Sequence, residues 1–138
     1  MLALVHVLSS LIGRAFHGRI AAAHGLSLAE WRVMITLAKH PGASAADIVE
    51  RWAMQPMMAS RAIRTLEGRG WIARKRRSDD RRSFSLSLTA AGRRAHGRVA
   101  PDANARYREL LGCLSAAQAA ALDRALQRLI ARAGRLGR

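Results

Sequence analysis

The chain alternates between helical runs of apolar residues and short polar breaks, with one exception in its middle. The first run, from Leu2 to about Ala22, is apolar around more than one face of a helix and ends before Gly25. A surface helix in a monomer shows a single apolar stripe, so this helix needs burial on several sides. The pattern therefore predicts that a second copy of the chain covers it.

Short sequence motifs mark the ends of the next three helices. The segments 27–30 (SLAE) and 44–47 (SAAD) are capping boxes, in which a serine and an acidic side chain satisfy each other's backbone amides. They begin a second helix that stops at Pro41 and a short third helix. Pro56 stands where a helix-starting proline belongs and predicts a fourth helix that runs to Gly68 or Gly70.

After the fourth helix the period of the pattern changes. Residues 71–74 are short and extended, and Phe84, Leu86 and Leu88 alternate with serines, which is typical of a half-buried strand. The polar loop between these two strands, residues 75–82, is rich in arginine. A β-hairpin with a basic tip is therefore predicted.

Two more helices complete the chain. Thr89 caps a fifth helix that continues to about Gly112, and Pro101 either kinks or breaks it. A third capping box, 115–118 (SAAQ), begins a last helix with one apolar stripe. The predicted fold is mainly α with a small β-hairpin wing: a winged helix-turn-helix with N- and C-terminal dimerisation helices.

Composition adds a large positive charge. The chain of 138 residues has 24 Lys plus Arg against 9 Asp plus Glu, a formal net charge of +15. Such a charge calls for a polyanion, whether nucleic acid, an anionic membrane or an acidic protein. No apolar stretch is long enough to cross a bilayer, and the first twelve residues lack the flanks of a signal peptide. We therefore expect a cytoplasmic protein without a membrane partner.

The fourth helix carries the side chains best suited to nucleic acid. At 100° per residue its apolar residues gather on one face, and the opposite face presents Met57, Met58, Ser60, Arg61, Arg64 and Thr65. Arg61 and Arg64 reach the same surface, where an arginine fork can bond guanine O6 and N7 in the major groove. Met57 suits a thymine methyl, and Ser60 or the helix amino end suits a phosphate. The alternative is that the two arginines are ordinary surface side chains, which only keep an exposed face of the helix in contact with water.

The hairpin supplies a second predicted contact with DNA, made by Arg76, Arg77, Arg81 and Arg82. Arg81 and Arg82 lie near the tip, and the negative potential of a narrow minor groove attracts such side chains. Asp80 is the wrong charge for DNA binding. It is expected to position the wing, either by pairing with an arginine or by capping the turn.

These motifs carry a family resemblance. The run 80–92 (DRRSFSLSLTAAG) resembles the wing signature of MarR-family transcriptional regulators, 25–34 resembles that family's second-helix opening, and 60–70 resembles its recognition helix. The resemblance implies a bacterial homodimer that binds a pseudo-palindromic operator in double-stranded DNA and represses transcription. It places the base-reading role on the recognition helix and the minor-groove role on Arg82 or Arg81. Many relatives carry small polar residues where this chain has Pro56-Met57-Met58, so the base preference is not carried over.

The resemblance also implies a small effector, often an aromatic or phenolic acid, bound between the dimer helices and the DNA-binding lobe. Arg14, His17, Trp31 and Arg32 lie near that junction in the sequence. Arg14 or His17 suits a carboxylate, and Trp31 suits an apolar wall. The alternative is that Trp31 packs in the core and that Arg14 and His17 are solvated on the surface. For Trp31 we favour core packing.

The predicted boundaries are a single domain over 1–138, a DNA-binding lobe over 27–89, and a helical dimerisation region over 1–24 and 90–138.

No two of the five histidines stand three or four residues apart, so no metal or other cofactor is expected. The single cysteine, Cys113, is expected to be packed in the interior. No nucleophile–base pair, phosphate loop or carboxylate dyad points to an enzyme. The alternative function is a basic nucleoid-like or RNA-binding protein without sequence preference.

Overall fold

The structure is a computed structural model, which describes residues 1–79 and 82–137. Helix α1 (Leu2–Phe16) continues through a π-helical turn (His17–Ala21) into the short α2 (Ala22–His24). The sequence predicts one uninterrupted α-helix here, and the π turn is the difference. Gly18 lies in that turn, and glycine destabilises an α-helix interior by about 1 kcal/mol relative to alanine. Gly25, in the left-handed region at φ 64°, ends α2 as predicted.

The next three helices are α3 (Leu28–Lys39), α4 (Ala45–Trp52) and α5 (Pro56–Gly68). The capping boxes predicted at 27–30 and 44–47 are both formed, with the serine hydroxyl accepting from the backbone and the acidic side chain accepting in return. Because these bonds satisfy amides that the first helical turn leaves open, they fix where α3 and α4 begin.

The hairpin consists of strands β1 (Ile72–Arg76) and β2 (Phe84–Leu88), which pair antiparallel from Ile72 opposite Leu88 to Arg76 opposite Phe84. The prediction that β1 covers 71–74 is wrong at both ends. Lys75 and Arg76, assigned to the loop from sequence, belong to the strand. Their backbone pairs with Ser85 and Phe84, and the Arg76 guanidinium lies 5.7 Å from the Phe84 ring centre. This cross-strand pairing extends the ladder into the basic segment.

The last two helices are α6 (Ala90–Leu111) and α7 (Ala116–Leu136). The Thr89 hydroxyl accepts from the Gly92 amide at 3.0 Å, which confirms the predicted cap of α6. Helix α6 is continuous through Pro101, so the chain does not break there. The third capping box, at 115–118, is also formed and begins α7.

The chain divides into two compact units, Met1–Ala103 and Asn104–Arg138. The first unit holds the hydrophobic core, to which every element from α1 to the first half of α6 contributes except the short α2. Leu37 of α3, Ile63 of α5 and Leu86 of β2 are essentially inaccessible to solvent. The recognition helix and the hairpin are therefore anchored on one shared core.

The second unit has no core of its own within a single chain. None of its residues up to 137 is buried. Arg106 pairs with Glu109 at 2.7 Å on the surface of α6. The expectation that Cys113 is packed in the interior is wrong: it is exposed, and its thiol donates to the Leu110 carbonyl at 3.4 Å. No described part of this unit is deep enough to enclose the thiol.

No helix within the described ranges, 1–79 and 82–137, is both long and apolar enough to cross a membrane. The same residues hold no group of three or more His, Cys, Asp or Glu side chains placed to bind a metal ion.

Candidate nucleic-acid interface

Helix α5 is held by its apolar face. Gln55 is extended, and Pro56 occupies the first helical turn, where its missing amide hydrogen costs no hydrogen bond. The residues of α5 predicted to face the core are all buried: Ala59, Ala62, Ile63 and Leu66. They pack the helix against α3, α4 and β1. The rotation of α5 about its own axis is thereby fixed.

The opposite face of α5 is open to solvent, as predicted. All six candidate side chains are exposed: Met57, Met58, Ser60, Arg61, Arg64 and Thr65. Arg61 and Arg64 form no ion pair with any described residue, so their charges are not compensated locally. The Thr65 hydroxyl donates to the Arg61 carbonyl at 3.0 Å, which leaves only its acceptor capacity for a ligand.

The hairpin tip is closed by backbone and side-chain contacts. The Arg77 amide donates to the Ser83 carbonyl at 3.2 Å. The Arg77 guanidinium donates to both oxygens of the Asp79 carboxylate, at 3.2 and 3.3 Å. The predicted positioning residue Asp80 and the predicted DNA contact Arg81 lie outside the described residues. The sequence analysis did not predict this pairing of Asp79 with Arg77. The available signal was the position of Asp79 in a turn, two residues after Arg77.

The other predicted wing arginines lie on either side of that tip. Arg76 is exposed on β1, and Arg82 is exposed just before β2. Arg82 also lines a cavity of about 240 Å³ between the hairpin and the start of α4. The structure thus places the described wing arginines on the hairpin, which joins directly onto the end of α5 through Gly70.

A contact that sequence reasoning missed connects α5 to the hairpin. The Arg74 guanidinium donates two hydrogen bonds to the Glu67 carboxylate, at 2.8 and 3.0 Å. The hydrogen bonds that Arg74 donates to the Glu67 carboxylate raise the pKa of Arg74 above its ordinary value. The same guanidinium lies 5.0 Å from the centre of the Phe84 ring. An acidic residue near the end of the recognition helix was the available signal.

A groove of about 620 Å³ borders the recognition helix. Its lining comes from the π turn and from α3 and α5, each with the residue that precedes it: His17, Ser27, Leu28, Ala29, Glu30, Arg32, Gln55, Met57, Met58, Arg61, Ala62 and Thr65. Of the four candidate effector residues, the groove brings together His17 and Arg32. Arg14 is exposed elsewhere on α1 and does not line it.

Trp31 belongs to the core, the interpretation favoured from sequence. Its side chain is 2% exposed, and its ring stacks on His96 of α6 with centroids 5.2 Å apart. Burial lowers the pKa of His96 below its ordinary value. The Trp31 ring therefore holds α3 against α6 and does not line the groove.

Arg32 is held at the edge of the groove by aromatic and polar neighbours. Its guanidinium lies 5.1 Å from the centre of the Trp52 ring. The Trp52 indole donates to the Thr36 hydroxyl at 2.9 Å, and that hydroxyl donates to the Arg32 carbonyl at 2.8 Å. The Arg32 Nε is buried and has no hydrogen-bond partner among the described residues.

The MarR family model matches residues 26–84, the segment from α3 to the start of β2. An HTH-type transcriptional repressor of Mycobacterium tuberculosis is 30% identical over 105 residues, which are 76% of this chain and 76% of that protein. Solved structures give the same fold. A MarR/EmrR family regulator from Acinetobacter sp. ADP1 has a TM-score of 0.89 at 21% identity, covering 97% of this chain and 94% of its own.

CouR from Rhodococcus jostii RHA1, solved with p-coumaroyl-CoA bound, has a TM-score of 0.82 at 17% identity and covers 92% of this chain and 89% of its own. The mainly helical fold with a two-stranded wing is common to these structures. With a repressor relative covering most of its length, an outward basic recognition helix and an arginine-bearing hairpin, the chain belongs to the MarR family of DNA-binding transcriptional regulators.

Proposed function

We propose that the protein is a dimeric repressor that reads a pseudo-palindromic operator and is released by a small effector. One observation carries the proposal: α5 buries its apolar face and turns uncompensated Arg61 and Arg64 outward, beside a hairpin rich in arginine. A protein that only coats DNA needs positive charge. It does not need two arginine forks fixed side by side on a rigid helix.

Each side chain has a part in this proposal. Arg61 and Arg64 bond guanine edges in the major groove, and Met57 contacts a thymine methyl, with Met58, Ser60 and Thr65 flanking them. Arg82, with Arg81, enters the minor groove, and Arg76 and Arg77 contact the backbone. Asp80 positions the wing. The lobe 27–89 therefore binds DNA.

The dimer is the second part of the proposal. Leu4 of α1 is 71% exposed and Ile130 of α7 is 70% exposed, which is unusual for large apolar side chains that repeat along a helix. A second copy would cover the helices of 1–24 and 90–138. Two-fold symmetry then places two recognition helices about 34–36 Å apart, one turn of DNA.

The groove beside α5 is the proposed effector site. It combines apolar walls with the His17 imidazole and the Arg32 guanidinium, which suits an aromatic or phenolic acid. Arg61 and Met57 line the same groove and belong to the proposed DNA-reading face. An occupant would therefore compete with DNA for these side chains.

The test begins with a duplex selected by the protein from a random-sequence pool. Its binding is measured by fluorescence anisotropy against a shuffled duplex of equal composition, across salt. We expect the wild type to prefer the selected duplex, and Arg64→Ala to lose about tenfold or more of that preference. Arg124→Ala, an equal charge loss on α7, should keep the preference. Equal binding of the wild type to both duplexes would mean a charge-driven DNA coat instead.

The effector arm uses the same complex. Benzoate, salicylate and p-coumarate are titrated onto the protein by calorimetry and onto the protein–DNA complex by anisotropy. We expect heat and DNA release for at least one acid, both lost in Arg32→Ala and both kept in Arg14→Ala. No heat with any of the three, or equal loss in both variants, would remove this groove as the effector site.

A further inference from the structure

The two DNA-reading elements are linked by one side-chain stack, formed by Glu67 at the end of α5, Arg74 in the middle of β1 and Phe84 at the start of β2. The Glu67 carboxylate accepts both hydrogen bonds of the Arg74 fork, at 2.8 and 3.0 Å. The flat guanidinium lies 5.0 Å from the centre of the Phe84 ring. One side chain thus contacts the recognition helix and both strands of the wing.

We propose that Arg74 is a positioning residue, which fixes the wing against the recognition helix so that both enter their grooves in one register. The inference rests on the proposed function, because it concerns two contacts with a single operator. Arg74 itself does not touch DNA. Glu67 and Phe84 are its partners in this role.

Apart from the Arg74 stack, the described hydrogen bonds between the hairpin and the end of α5 lie only at the base of the hairpin. The Trp71 amide donates to the Leu66 carbonyl at 3.0 Å, and the Thr89 hydroxyl donates to the Gly70 carbonyl at 2.6 Å. Both bonds lie at or before the first residue pair of the ladder. Arg74 is two residues farther out, opposite Leu86, and its bonds to Glu67 are the next connection to α5. Backbone hydrogen bonds also hold Leu86 to the loop before α4: its amide donates to the Ala43 carbonyl at 3.0 Å, and its carbonyl accepts from the Gly42 amide at 2.8 Å. That contact fixes β2 to the loop, whereas the position of β1 relative to the end of α5 depends on the Arg74 stack.

The contacts of Arg74 also separate it from the arginines proposed to bind phosphate. The paired carboxylate compensates its charge and occupies its Nε and one terminal nitrogen. Arg76, on the same face of β1 and over the same ring, has no ion pair with any described residue. An exposed ion pair contributes little to stability, and the Arg74 side chain is 41% exposed. What the bidentate pair adds is a defined geometry.

Arg74 and Arg76 therefore form a matched pair for the test. Arg74→Gln, Glu67→Gln, Arg74→Lys and Arg76→Gln are each titrated with the selected and the shuffled duplex across salt. For Arg74→Gln and Glu67→Gln we expect the preference for the selected duplex to fall about tenfold, with an unchanged salt slope. For Arg76→Gln we expect an unchanged preference and a slope shallower by about 0.9 for each phosphate that the variant no longer neutralises.

Arg74→Lys keeps the charge and removes the flat fork, so we expect it to lose the preference as Arg74→Gln does. Far-ultraviolet circular dichroism and thermal melts identify any variant that fails to fold. If Arg74→Gln or Glu67→Gln does not fold, the result for Arg74→Lys tests the positioning role. Full preference in Arg74→Lys would mean that charge alone acts, and a shallower slope in Arg74→Gln would mean a phosphate contact. Either result overturns the positioning role while the wild type still discriminates. A wild type without preference overturns the proposed function and this inference together.

Discussion

At the scale of single residues, the arginines differ in what holds them. The sequence contains 22 of them, and composition treats all alike. In the fold, Arg69 donates to the Gly25 carbonyl at 2.7 Å and lies 5.0 Å from the Trp71 ring centre, and Arg93 donates to the Leu88 carbonyl at 3.0 Å. These arginines stabilise the scaffold. Arg61 and Arg64 have no such anchor among the described residues, so their charge is available to a ligand.

His96 provides a prediction at this scale. Burial lowers its pKa below the ordinary value of 6.5, while the unfolded chain restores that value. Between the two values the unfolded chain binds more protons. The contribution of His96 to stability is therefore complete above about pH 6.5 and is lost as the pH falls through the folded-state pKa. Denaturant melts from pH 5 to pH 7.5 should show the free energy of unfolding falling less in His96→Phe than in the wild type.

Phenylalanine retains an aromatic ring to stack on Trp31 and removes only the titration. His40→Asn removes an exposed histidine and serves as the control, with the wild-type dependence on pH expected. Parallel curves for His96→Phe and the wild type would contradict the assignment.

At the scale of elements, the sequence predicts the features that depend on neighbouring residues. It misses the features that depend on contacts between residues far apart in the chain. The capping boxes at 27–30, 44–47 and 115–118 are where the sequence places them, because each is closed by residues three apart. The end of β1 was predicted too early, since its last residues are strand only through their partners on β2. The outward face of α5 followed from helical periodicity. The ion pair between Glu67 and Arg74 joins two elements, so it produces no periodic pattern in the sequence from which it could be predicted.

The junction between the hairpin and α6 depends on Gly92. A Cβ built there lies 2.0 Å from the Trp71 carbonyl oxygen, and its other close neighbours are also backbone atoms. No side-chain rotation relieves that overlap, so α6 and the start of the wing would have to separate. We expect Gly92→Ala to lower the free energy of unfolding by roughly 3 kcal/mol or more.

Gly97, on the same helix, is the matched control, because nothing lies within 4 Å of its added Cβ. Gly97→Ala should raise the free energy of unfolding by up to about 1 kcal/mol through helix propensity. Urea titration followed by circular dichroism measures both variants. Equal stability of the two would show that α6 and the wing are not packed as closely as described.

At the scale of the whole molecule, the two units differ in what a single chain completes. Residues Met1–Ala103 enclose a core that fixes α5 and the hairpin, whereas α7 buries none of its residues. Its apolar side chains repeat along one stripe: Leu122, Leu126, Leu129, Ile130 and Leu136. Such a helix is not expected to be stable alone in water, because tertiary packing of its apolar face supplies most of the stability of a helix in a protein. The molecule that binds DNA is therefore expected to be larger than one chain.

Ile130→Asp tests that expectation. In a two-fold dimer the substitution occurs twice, and each copy replaces a buried apolar side chain with a charge. We expect the dissociation constant of the dimer to rise by at least about 100-fold, measured by analytical ultracentrifugation. Ala131→Asp adds the same charge on the opposite side of α7 and should remain dimeric. The monomer places one recognition helix on the operator, so its salt slope should fall to about half that of the dimer. A dimeric Ile130→Asp, or equal dissociation in both variants, would place the interface elsewhere.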